Sequence, residues 1–92
     1  MTKTGTTTFD NLSAHALAVP IACKAITIRE QATNFTSDYW VSAPSSTDPQ
    51  FRKLTGESTQ FAAGPGGMFE AGVTVGFIQP VSGTMTFSFI CE

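Results

Sequence analysis

The segment Thr84-Met85-Thr86-Phe87-Ser88-Phe89-Ile90-Cys91 decides the fold class of this 92-residue chain. Large apolar side chains at Met85, Phe87, Phe89 and Cys91 alternate with small or hydroxylated Thr84, Thr86 and Ser88. A period of two sends successive side chains to opposite faces of a strand, so the segment buries one face and wets the other. Ile90 breaks the pattern only at the end. β-Branched Ile26, Thr27 and Ile28 mark the centre of a second strand over residues 22–30. A third opens at Gly72, sets Val73, Val75 and Phe77 on one face, and ends at Pro80. The expected core is therefore Ile26, Ile28, Val75, Phe77, Met85, Phe87 and Phe89.

Outward from these strands the chain is short segments and turns. Residues 1–8 are polar and threonine-rich, including Thr6, Thr7 and Thr8, and read as a flexible arm or an edge strand leading into Phe9. Ser13 could cap a helix, but Pro20 would stop it after little more than a turn, so residues 12–19 are expected to be extended. Residues 31–38 read as a polar turn, Tyr39-Trp40-Val41-Ser42 as a strand, and Ala43 to Pro49, with two prolines, as a surface loop. Phe51–Leu54 and Ser58–Phe61 flank Gly56 as two short strands around a tight turn. Gly64-Pro65-Gly66-Gly67 is a turn that needs positive φ. A further short strand follows at Met68–Ala71, and Ser82-Gly83 turns the chain into its last strand. The fold expected is all-β: a small β-sandwich or jelly roll of about seven to eight short antiparallel strands. Its organisation is a polar arm over 1–8 and one domain over 9–92. No apolar run approaches the ~20 residues of a membrane-spanning helix.

Charge is the outlier in composition. Only 13% of residues are Asp, Glu, Lys or Arg, roughly half the ~25% usual for soluble domains. Such a chain exposes Thr, Ser, Gln, Asn and Gly, or buries surface against neighbours. Net charge is −2, and Lys3, Lys24, Arg29, Arg52 and Lys53 are too scattered to neutralise a run of phosphates, so no nucleic-acid partner is expected.

Chemistry finds no foothold. His15 is the only histidine and no Gly-x-Ser-x-Gly motif accompanies it. Nothing in the sequence pairs Glu57 with Glu70, and the glycine loop lacks the Lys-Ser/Thr of a phosphate loop. Cys23 and Cys91 with one histidine do not make a zinc cage. Strict alternation puts Cys23 on the face opposite Ile26, while Cys91 shares the face of Phe87, so both are expected as free thiols. No catalytic residue, cofactor or metal is expected. Pro20-Ile21-Ala22-Cys23 looks like a lipoprotein cleavage site, but Phe9, Asp10, His15 and Pro20 itself argue against a signal. The sequons Asn11-Leu12-Ser13 and Asn34-Phe35-Thr36 carry no weight without one. In a strand Tyr39 and Trp40 must point to opposite faces, one into the core and one available as an interface anchor or sugar platform. Candidate interface residues are thus Thr6, Thr7, Thr8, Tyr39 and Trp40.

From Val19-Pro20-Ile21-Ala22-Cys23-Lys24-Ala25-Ile26-Thr27-Ile28-Arg29 onward the chain resembles small tailed-phage structural proteins, in which a Pro-x-x-Cys-Lys step precedes an Ile-Thr-Ile strand. The likeness continues through the aromatic strand Asp38-Tyr39-Trp40-Val41, the glycine-bounded Gly72–Ile78 and the Ser82-Gly83-Thr84 hairpin. The resemblance implies a non-enzymatic virion component, such as a capsid decoration or cement protein. It also implies a homo-oligomer that binds a major capsid protein or another virion protein, without membrane contact, assembled in a host cytoplasm. The second class is a carbohydrate- or receptor-binding module, for example on a tail or fibre.

Overall fold

A computed structural model of the chain describes residues 2–31, 37–48 and 50–92. The core of the turn expected around 32–36, with its sequon at Asn34, lies outside the described residues, as do Met1 and Pro49. The strands are β1 (Lys3–Phe9), β2 (His15–Ala18), β3 (Ala25–Glu30), β4 (Tyr39–Ser42), β5 (Phe51–Lys53), β6 (Ser58–Ala62), β7 (Thr74–Pro80) and β8 (Met85–Cys91). No helix occurs among the described residues.

They form two four-stranded sheets, ordered β1-β8-β3-β6 and β2-β7-β4-β5, with every neighbouring pair antiparallel. The pairs β4·β5, β3·β6, β2·β7 and β1·β8 are nested, as if one long hairpin had been rolled into a sandwich. That is jelly-roll wiring. Only β4 and β5 are chain neighbours in one sheet. The two segments flanking Gly56 are strands but not a hairpin, because β5 pairs with β4 and β6 with β3. The Ser82-Gly83 turn likewise carries the chain between sheets. Met68–Ala71 contributes only a single bridge, Phe69 to Cys23.

The core lies between the sheets. Ile26, Ile28, Val75, Met85 and Phe87 are buried there as expected, with Leu17, Val19, Tyr39, Val41 and Ile78. Phe87 is its centre: Tyr39 meets the ring edge-on at 5.0 Å and Phe9 lies at 6.0 Å. Phe89 is partly buried and packs against the core. Phe77 is the exception. The register of β2 with β7 steps from Leu17↔Gly76 to Ala18↔Thr74, so Val75 is an extra residue. This bulge inverts the alternation. Val75, Gly76 and Ile78 are buried, and Phe77 turns to the outer face. Gly76 is needed there, since a Cβ would stand 2.5 Å from the Phe61 ring and 2.8 Å from the Ser42 carbonyl oxygen.

A second bulge corrects the reading of the cysteines. The N–H groups of Lys24 and Ala25 both donate to the Glu92 carbonyl, each at 3.0 Å. One extra residue there returns Cys23 to the inner face, and it is joined to Cys91 in a buried disulfide. The bridge spans a sequence separation of 68, and constraining so long a loop in the unfolded chain stabilises the fold by about 4 kcal/mol in the chain-entropy view.

The threonine-rich N-terminus is the edge strand and not a free arm. All seven residues of β1 pair with β8, from Lys3↔Cys91 to Phe9↔Met85. Residues 3–8 therefore belong to the first sheet.

Candidate functional site

Alternation along β1, β8, β3 and β6 sends one set of side chains outward from the first sheet. Register aligns them in rows across the strands: Thr4, Ile90, Thr27 and Gln60 in one, Thr6, Ser88, Arg29 and Ser58 in the next, then Thr8 and Thr86. Neighbours stand about 4.8 Å apart across strands and about 7 Å apart along them. The hydroxyls of Thr8 and Thr86 are 3.1 Å apart, the Gln60 amide donates to Thr27 Oγ1 at 3.4 Å, and the Ser88 hydroxyl donates to the Arg29 carbonyl at 3.3 Å. Arg29 is the charged side chain of these rows. The face is otherwise hydroxyl, amide and the exposed Ile90.

Of the three threonines singled out in sequence, Thr6 and Thr8 belong to this face. Thr7 points between the sheets. There a cleft of about 290 Å³ opens between the edge strands β1 and β2, lined by Thr6, Thr7, Phe9, Ala16, Leu17, Ala18, Pro20, Ile26 and Phe89. No charged residue lines it. Phe89 lies across β1 at Gly5, where a Cβ would come within 2.9 Å of the ring. Sequence reasoning missed this cleft, because its walls come from two strands whose side-by-side placement is a product of the topology.

The remaining candidates divide as strand geometry requires. Tyr39 is fully buried: its hydroxyl donates to the Glu57 carbonyl at 2.7 Å and meets Thr59 Oγ1 at 2.8 Å. Burial pushes the phenol above its ordinary range, against the lowering effect of the Thr59 bond. Trp40 lies on the outer face of the second sheet opposite Arg52, whose guanidinium sits 5.8 Å from the ring centroid. Arg52 also pairs with Asp38 at 2.9 Å, and Asp38 accepts from the Thr55 N–H and hydroxyl at 2.8 and 3.0 Å. The Thr55 bonds, and after them Arg52, hold the Asp38 carboxyl below its usual range. Trp40 is thus half-buried beneath a fixed arginine. Tyr39 and the three threonines are not brought together with it.

His15 has a structural partner. Its Nε2 lies 2.8 Å from Asp10 Oδ1, and its ring stacks on Phe9 at 5.2 Å. The bond to His15, then the Leu12 N–H, lowers the Asp10 carboxyl. This pair ties the end of β1 to the start of β2. No cluster of three His, Cys, Asp or Glu that could hold a metal ion occurs among the described residues. No helix there is long and apolar enough to cross a membrane. Compared with known proteins, the chain matches no family model and no curated relative.

Proposed function

We propose that this chain is a non-enzymatic structural domain that docks on a protein lattice through the outer face of its first sheet. In its finer form the reading is a decoration protein of a phage capsid, a homo-oligomer found in the virion, as the resemblance of residues 19–91 implies. The observation that supports it is the ordered, nearly uncharged face of Thr4, Thr6, Thr8, Thr27, Ser58 and Ser88. Hydroxyls held by strands lose little freedom when a partner covers them, and a face this poor in charge sheds little hydration. Jelly rolls serve in capsids and in lectins alike, so the fold does not choose between the two classes. The glycan-binding reading rests on Trp40, and Arg52 already occupies space over that ring.

The test is co-sedimentation with assembled shells. Attachment should persist at about 1 M salt, where the Debye length is only ~3 Å. Ser88→Glu, at the centre of the face, should release the protein without unfolding it. Stripping by moderate salt, or unaltered attachment of the Ser88 variant, overturns the reading. Deletion of residues 1–8 is unsuitable, because it removes a strand of the sheet.

A further inference from the structure

The four sheet edges are not equally guarded. A strand edge presents unpaired N–H and C=O groups that only another extended chain can match, and proteins usually blunt it with charge, proline, bulges or shortness. β5 has three residues and carries Arg52 and Lys53. β2 has four, faces a bulge and is followed by Pro20. β6 has five and runs into the Gly64-Pro65 turn. β1 has seven residues in unbroken register, no proline, and no charge between Thr4 and Phe9.

The edge of β1 is also self-complementary. Let a second copy approach antiparallel, with Thr6 opposite Thr6. Thr4 then faces Thr8 of the second copy, Gly5 faces Thr7, and Lys3 faces Phe9. On the outer side every pair is threonine on threonine, the combination that Thr8 and Thr86 already make within the chain at 3.1 Å. At each end Lys3 comes beside Asp10 of the second copy, so opposite charges meet twice. The register with Gly5 opposite Gly5 keeps threonine on threonine but parts Lys3 from Asp10. The register with Thr7 opposite Thr7 keeps those charges close but sets Asp10 against Thr4, so only the Thr6 register makes both matches.

We propose that β1 pairs antiparallel with β1 of a second copy about a two-fold axis through Thr6, joining two first sheets into one of eight strands. An axis normal to the sheet keeps both threonine faces on the same side. The partner strand covers the mouth of each cleft at Thr7 and Phe9. This deepens the assembly reading above, since pairing through the edge doubles the docking face and leaves it free.

Sedimentation equilibrium on the purified chain, without shells, tests it from about 1 to 500 μM, a range that brackets weak edge pairing. A reversible dimer is expected. Thr6→Lys sets two like charges opposite each other on the exposed side, and should weaken the dimer at least about tenfold with the thermal midpoint kept. Thr6→Cys chains should join through that position on air oxidation, whereas Thr8→Cys chains, opposite Thr4, should not. A monomer throughout the range overturns the proposal, and so does a dimer indifferent to Thr6→Lys or a Thr6→Cys chain that fails to join. Shell binding that survives such a result leaves the assembly reading standing, and a dimer that ignores shells leaves the pairing standing.

Discussion

The two lateral sides of the sandwich are closed by different means. On one side β5 and β6 meet, and Tyr39, Thr59 and the Glu57 carbonyl join the sheets while Asp38 holds Arg52 and Thr55 across the turn between them. On the other side β1 and β2 meet around an uncharged cleft of about 290 Å³, and the visible tie is Asp10 to His15 at the end of the strands. A polar network satisfies its own donors and leaves no demand for a partner. An edge whose backbone groups point outward beside an uncharged cleft keeps that demand. The contrast teaches that one side is tied by side-chain hydrogen bonds, while the other leaves its long edge strand beside an open cleft.

The largest expected effect strikes what both sides share. Phe87 touches Tyr39 on the closed side and Phe9 on the open side. Phe87→Ala should cost about 3–5 kcal/mol in denaturant unfolding. A cost below about 1 kcal/mol, the range of surface substitutions, would show that the two sides do not lean on one core.

A smaller effect separates the sides. Tyr39→Phe leaves the Glu57 carbonyl and Thr59 without that hydroxyl and should cost about 1–2 kcal/mol. Thr7→Val in the cleft should stay within about 0.5 kcal/mol. Equal costs would mean that the closed side owes nothing to its polar network.

The smallest effect is one of pH. Asp10 on the open side and Asp38 on the closed side both have carboxyls lowered by hydrogen bonding. A carboxyl depressed in the folded state adds stability above its unfolded value near 4, and loses it as pH falls through the folded value. Melting temperature should therefore decline in acid. Asp38→Asn should flatten that decline more than Asp10→Asn, because Asp38 accepts from Thr55 twice and from Arg52. The reverse order would place the stronger tie on the open side.

How legible these regions were differs as well. The strands could be read wherever alternation was clean, as in Thr84–Cys91 and around Ile26 and Ile28. Reading failed at the two bulges. One extra residue at Val75 and another beside Lys24 inverted the faces of Phe77 and Cys23. Gly76, inside a strand pattern, is a local sign of the first bulge, but the second carries none, since ladder mismatch depends on the strand opposite. Gly56 marked a turn but not that the turn crosses between sheets, because a tight turn fits either a hairpin or a sheet change. Of the candidate interface, Thr6, Thr7 and Thr8 were offered together, and only the pairing of β1 with β8 separates the outward Thr6 and Thr8 from Thr7. The cleft was invisible, since Phe9, Leu17 and Phe89 are far apart in the chain and meet only through the order β1-β8 over β2-β7.

The sequence by itself determined an all-β chain, a core centred on Ile26, Ile28, Met85 and Phe87, and a surface poor in charge. Periodicity and composition are local or summed properties, and they survive without knowledge of partners. The tertiary structure alone decided the nested pairing, the Cys23–Cys91 bridge, the buried Tyr39 under a half-covered Trp40, and the unguarded edge at β1. Each of these depends on which distant strand lies alongside, and that is set by the collective burial of two sheet faces and not by any one segment.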